Sequence, residues 1–90
     1  MNADNEMVGN PHPNGDWHPA DVLAALKKRG YSLAGLSVAH GYHPTAAGKA
    51  LKQAWPAVER VLADALGMQP QMIWPSRYDG EGNPLPRAKT

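Results

Sequence analysis

Residues 32–52 read SLAGLSVAHGYHPTAAGKALK, and this stretch determines the fold. Apolar residues recur at helical spacing on both sides of Gly41, which predicts two short helices. Ser32 can accept a backbone N–H at the start of the first helix, and Gly41 tolerates the positive φ of a tight turn. Two short helices joined by such a turn form a helix-turn-helix unit, which is the structure that we predict here.

Three residues of this stretch depart from the usual pattern of that motif. Ser37 stands where Ala is commonest, His40 where an apolar residue is usual, and Ala47 where Val or Ile is commonest. Pairs of packed helices with a Gly between them are also frequent in all-α proteins. On these residues alone, an ordinary helical hairpin therefore stays open as an alternative.

The outer face of the helix after Gly41, over about residues 44–54, favours DNA binding. Thr45, Lys49 and Lys52 are spaced i, i+4 and i+7, which places them on one side of a helix. A recognition helix enters the major groove, where hydroxyl and ammonium groups reach base edges and phosphates. Ala46 and Gly48 add no bulk that would keep the backbone away from DNA. The residues predicted to contact DNA are Ser32, His43, Pro44, Thr45, Ala46, Gly48, Lys49, Lys52 and Gln53.

The chain around this pair predicts further helices and no strand. Pro19 suits the first turn of one helix and Gly30 ends it, while Pro56 and Gly67 bound another. A short helical turn then precedes Pro75. These segments predict an all-α domain of four to five short helices over residues 16–78. Residues 1–15 and 79–90 are rich in Gly, Pro and Asn, so we expect a disordered leader and a disordered tail.

Charge is distributed unevenly along the chain, although its formal net value is only +1. Residues 16–78 hold seven basic and four acidic side chains, whereas residues 1–15 hold two acids and no base. A basic folded segment favours a polyanionic partner. The run Lys27, Lys28 and Arg29 is predicted to contact phosphates or to complement the end of its own helix.

Several classes of protein are disfavoured by what the sequence lacks. It has no cysteine, and its four His residues form no Cys/His cluster, so we expect neither a metal nor another cofactor. No catalytic triad, phosphate loop or pair of carboxylates is recognisable, so we do not expect an enzyme. No apolar stretch reaches the length of a membrane span and no secretory signal is recognisable, so cytoplasmic residence is expected.

Four segments resemble the Ner family, which comprises the phage Mu-type Ner repressors and the bacterial Ner-like Nlp regulators. The segments are DWHPADV at 16–22, LKKR at 26–29, GYHPT at 41–45 and IWPSRY at 73–78. The resemblance implies a λ-repressor-like all-α domain that regulates transcription by occupying double-stranded operator DNA. It matches the recognition helix to residues 45–52, where Ala46 and Gly48 are smaller than expected in a phage member. A second copy of the chain is expected to bind beside the first on DNA.

One function from another class stays open at this point. A helical domain of this size can also serve as a protein–protein interaction module that does not read DNA, because a fold does not determine its function.

Overall fold

The computed structural model describes residues 15–86, which form five α-helices and one turn of 3₁₀-helix. The elements are α1 (Pro19–Lys28), α2 (Leu33–Ala39), α3 (Ala46–Lys52), α4 (Pro56–Leu66), α5 (Pro70–Ile73) and the 3₁₀ turn (Pro75–Arg77). These residues contain no strand, only an isolated antiparallel bridge between Tyr78 and Pro84. The predicted all-α fold is therefore confirmed. None of the described helices is long and apolar enough to cross a membrane.

The helix boundaries follow from local chemistry. The Oγ atom of Ser32 accepts the backbone N–H of Gly35 at 3.0 Å, so the predicted cap of α2 is confirmed. Gly41 has φ +84° in the turn after α2, and residues that carry a Cβ atom rarely adopt this backbone conformation. The helix predicted over about 44–54 is shorter in the structure, because Thr45 only precedes its first turn and Gln53 is already extended, with φ −145° and ψ 156°.

The core is built from one side of every helix and from the segment after α5. Its buried apolar members are Val22, Leu26, Leu36, Ala46, Ala47, Ala50, Val58, Leu62, Ala63, Leu66, Ile73, Trp74 and Tyr78. Three of them are alanines of α3, and their small side chains let α3 pack closely against its neighbours. Trp74, 2% exposed, is the largest buried side chain. The core therefore surrounds the inner face of α3 and leaves its outer face to solvent.

The ordered domain continues past the predicted boundary at residue 78. The Oδ1 atom of Asp79 accepts the backbone N–H groups of Glu81 at 2.8 Å and Asn83 at 2.9 Å. These hydrogen bonds, that of Asn83 first, hold the pKa of Asp79 below its usual 3.8. The N–H of Leu85 also donates to the carbonyl of Arg77 at 2.9 Å. Residues 79–86, which belong to the predicted disordered tail, thus form a hydrogen-bonded turn in the structure. The predicted leader up to residue 14, and residues 87–90, lie outside the described residues.

Candidate nucleic-acid interface

Ser37 determines how α3 crosses α2. Its side chain is buried, and its Oγ atom donates to the carbonyl of Leu33 at 2.8 Å and accepts the backbone N–H of Ala47 at 2.9 Å. Ala47 lies in the first turn of α3, where backbone N–H groups have no partner within the helix. Ser37 therefore caps α3 from the neighbouring helix. Sequence reasoning missed this role and treated the serine only as a departure from the usual alanine.

The outer face of α3 forms one wall of a groove. Thr45, Lys49 and Lys52 lie together there and are exposed, in agreement with their helical spacing. The groove has a volume of about 530 Å³. Its lining residues are Pro19, Leu33, Ala34, Pro44, Thr45, Gly48, Lys49, Leu51 and Lys52. The groove thus combines the basic groups of α3 and the hydroxyl of Thr45, just before α3, with apolar surface from the first turns of α1 and α2.

The approach to α3 is organised by His43. The backbone N–H of Thr45 donates to the His43 Nδ1 atom at 3.2 Å, and the Thr45 Oγ1 atom lies 2.9 Å from the same nitrogen. Both the backbone N–H and the hydroxyl of Thr45 therefore face the same ring nitrogen. This exposed pair of residues holds the Thr45 side chain in a defined direction at the start of α3.

The residues predicted to contact DNA fall into three groups in the structure. The groove brings together Pro44, Thr45, Gly48, Lys49 and Lys52. Ser32, His43 and Gln53 are exposed but do not line the groove. Ala46 is only 1% exposed, because its small side chain packs α3 against the core, so its predicted place at the DNA interface could involve only its backbone and remains a prediction.

Sequence reasoning missed the opposite wall of the groove. Pro19, Leu33 and Ala34 belong to other helices, and only the fold brings them to α3. The exposed run Lys27, Lys28 and Arg29 lies at the end of α1, outside the groove lining. Lys27 and Lys28 occupy the last turn, where cations complement the helix dipole. Contact of this run with phosphates remains a prediction.

A buried charged network lies behind the C-terminal end of α3. Glu59 of α4 is 0% exposed and accepts hydrogen bonds from the backbone N–H of Trp55, at 2.6 Å, from Arg77 Nη1, at 2.8 Å, and from the Tyr78 hydroxyl, at 2.6 Å. Burial, and then this last hydrogen bond, raise the pKa of Tyr78 above its ordinary value. Because Arg77 and Glu59 neutralise each other, the positive surplus of the domain rests on its other charged residues.

A tight helix-turn-helix pair with a basic, exposed second helix defines the class of the protein. Major-groove binders use such a helix to present a few side chains to base edges while the remaining helices pack behind it. The described residues contain no group of three His, Asp or Glu side chains that could hold a metal ion. The fold and the site are those of a DNA-binding domain.

Comparisons with known proteins give the family. The family of winged helix-turn-helix DNA-binding domains matches residues 16–90. Over 63 residues, 70% of this chain, the chain is 54% identical to the negative regulator of transcription of Escherichia phage Mu, covering 84% of that protein. Over an equal length it is 48% identical to the sugar fermentation stimulation protein B of Escherichia coli (strain K12), covering 68% of it. The solution structure of the Mu Ner protein superimposes with a TM-score of 0.63 at 52% identity, covering 72% of this chain and 88% of that one.

The chain therefore belongs to the winged helix-turn-helix DNA-binding family, and its relatives include the Ner proteins. The predicted resemblance to the Ner family is confirmed, as is the prediction of a DNA-binding transcriptional regulator. The ordinary helical hairpin, which the residues alone left open, is thereby excluded in favour of the helix-turn-helix.

Proposed function

We propose that this chain is a repressor that binds double-stranded operator DNA with α3 in the major groove. The observation that carries the proposal is the exposed face of Thr45, Lys49 and Lys52 along one groove. The relatives in Escherichia phages Mu and D108 are both named negative regulators of transcription, which supports repression as the outcome. We also propose that the chain acts without catalysing a reaction. Its proposed location is the cytoplasm, where operator DNA is accessible.

The groove suits a DNA duplex in its chemistry. Lys49 and Lys52 supply charge for phosphates or guanine acceptors, and Gly48, next to Lys49, has no side chain to hold the helix away from a base edge. The apolar surface of Leu33 and Ala34 on the other wall can contact thymine methyl groups or deoxyribose. Thr45 and His43 then supply polar groups whose mutual orientation is fixed by the contacts between them. Sequence preference is thus expected to come from the start of α3 and affinity from its lysines.

Removal of single charges tests the proposed face. Lys49→Ala and Lys52→Ala are each expected to weaken binding to a duplex about tenfold, because each loses a charge-assisted hydrogen bond. Each variant should also flatten the slope of log affinity against log salt by about 0.9 if its lysine neutralises one phosphate. Both side chains are exposed, so the free energy of unfolding should change by less than about 0.5 kcal/mol.

Arg60→Ala is the matched control, because Arg60 is also an exposed cation but lines a separate groove between α4, α5 and Gly82. Its duplex affinity is expected to change much less than that of the lysine variants. The assay uses a duplex enriched by the parent chain from a randomised pool. If the parent enriches no duplex, the proposal fails and the protein-interaction module takes its place. If Arg60→Ala weakens binding as much as Lys49→Ala, α3 does not carry the interface.

A second copy on DNA is also part of the proposal. Palindromic sites commonly place two helix-turn-helix domains about one helical turn apart. Analytical ultracentrifugation of the chain with the enriched duplex is expected to give two chains per duplex. A single chain per duplex at saturation would contradict this part and leave the proposed binding face intact.

A further inference from the structure

We infer that Arg77 is a positioning residue for DNA recognition, which it serves by fixing the C-terminal end of α3. This inference rests on the proposed function and identifies what holds the recognition helix in place. Arg77 lies outside α3, in the 3₁₀ turn that follows α5. Its side chain is 12% exposed, so it is not itself available as a contact for DNA.

The first step in the argument is the hydrogen bonding at the end of α3. The Nη1 atom of Arg77 donates to the carbonyl of Ala50 at 2.6 Å, and its Nη2 atom donates to the carbonyl of Leu51 at 3.3 Å. Both carbonyls belong to the last turn of α3, where backbone carbonyls have no N–H donors within the helix. The planar guanidinium therefore bridges two consecutive carbonyls and places a positive charge at the negative end of the helix.

The second step is that Arg77 is itself fixed from two sides. Its Nη1 atom lies 2.8 Å from the Oε2 atom of Glu59, a fully buried carboxylate on α4. The centre of its guanidinium lies 5.1 Å from the ring centroid of Trp74, a cation–π arrangement. Glu59 is held in turn by Tyr78 and by the backbone of Trp55. The guanidinium of Arg77 thus connects the end of α3 to buried groups of the core, and we call this two-pronged contact with Ala50 and Leu51 the fork.

The third step links this fork to the DNA-facing side chains. The two carbonyls that Arg77 binds lie between Lys49 and Lys52 in the chain, and both lysines line the groove. Helix α3 has only seven residues and is followed by the extended Gln53, so it is too short to be stable by itself. Without the fork, the last turn would fray and Lys52 would lose its defined direction, although its charge would remain.

The test compares Arg77→Lys with Tyr78→Phe. A lysine retains the charge beside Glu59, but its single ammonium cannot reproduce the planar fork across two carbonyls. Tyr78→Phe is the control, because it removes a hydrogen bond to the same Glu59 and none to α3. The probes are the duplex enriched by the parent and a mixed-sequence duplex of equal length. We expect Arg77→Lys to weaken the enriched duplex about tenfold and the mixed one much less, and Tyr78→Phe to change both less than about twofold.

A double-mutant cycle separates positioning from general destabilisation. In a Lys52→Ala background, Arg77→Lys should weaken binding less than about threefold, because the group that it positions is gone. Additive effects would overturn the inference, and so would equal losses for Arg77→Lys and Tyr78→Phe. If Arg77→Lys does not fold, Glu59→Gln replaces it in the test, because it removes the ion pair that holds Arg77. The inference would then be overturned if Glu59→Gln bound the enriched duplex no more weakly than Tyr78→Phe does. A parent that enriches no duplex from the randomised pool would defeat the proposed function instead.

Discussion

Ser37→Ala tests how the two helices of the motif are joined. The substitution removes the Oγ atom that accepts the N–H of Ala47 at 2.9 Å, and Ala47 is 0% exposed, so water cannot replace the lost partner. A buried donor left without an acceptor costs about 1–3 kcal/mol, and loss of a helix cap costs about 0.5–2 kcal/mol. Thr45 offers no side-chain cap that would compensate. The two ranges overlap at about 1–2 kcal/mol, which corresponds to a fall in Tm of about 5–15 °C for a small domain.

The assay is thermal unfolding followed by circular dichroism, together with amide hydrogen exchange. In Ser37→Ala the amide of Ala47 should exchange faster than its neighbours, since the opening is local to the start of α3. Ser32→Ala is the matched control, because it removes an exposed cap from α2 and should release the amide of Gly35 instead. An unchanged Tm with Ala47 still protected would refute the reasoning, since it would mean that the buried N–H has another acceptor.

Three further predictions concern the start of α3, the buried network and the turn. His43→Ala should lower the preference for the enriched over the mixed duplex about fivefold in competition binding, because Thr45 loses its oriented partner; an unchanged preference would contradict this. Because its raised pKa favours the neutral phenol in the folded state, Tyr78 should stabilise the fold fully below pH 10 and progressively less above it. Parallel alkaline titrations of tyrosinate absorbance and of helicity would refute this if all tyrosines ionised before any loss of stability. Gly41→Ala, at φ +84°, should cost about 1 kcal/mol or more in chemical denaturation, and an equally stable variant would show that the turn relaxes.

The parts of the fold that the sequence predicted depend on local chemistry. Ser32 and Gly41 act within a few residues of themselves, so their roles as cap and turn follow from residue type and spacing. The shared face of Thr45, Lys49 and Lys52 follows likewise from helical periodicity. Periodicity could not place Ala46, because a small residue at the edge of an exposed face fits either the surface or the core, and packing decides between them.

The parts that the sequence did not predict depend on contacts between distant segments. Glu59 and Arg77 are 18 residues apart, and each is of a type that is usually found on the surface, so nothing local indicates that they pair in the core. Ser37 reaches across to Ala47 on another helix. In the tail, the Gly and Pro content suggested disorder, whereas the single carboxylate of Asp79 organises the turn. In each case one polar side chain satisfies backbone or charged groups that the fold brings to it.

The most direct test of the central claim, that the outer face of α3 binds duplex DNA, is an NMR titration of the isotope-labelled chain with the enriched duplex. The largest shifts of backbone amides are predicted over residues 43–53, with smaller ones at Leu33 and Ala34 across the groove, and none in α5. Shifts that centre instead on the groove of Arg60 and Asp64, or no shifts at saturating duplex, would contradict the claim.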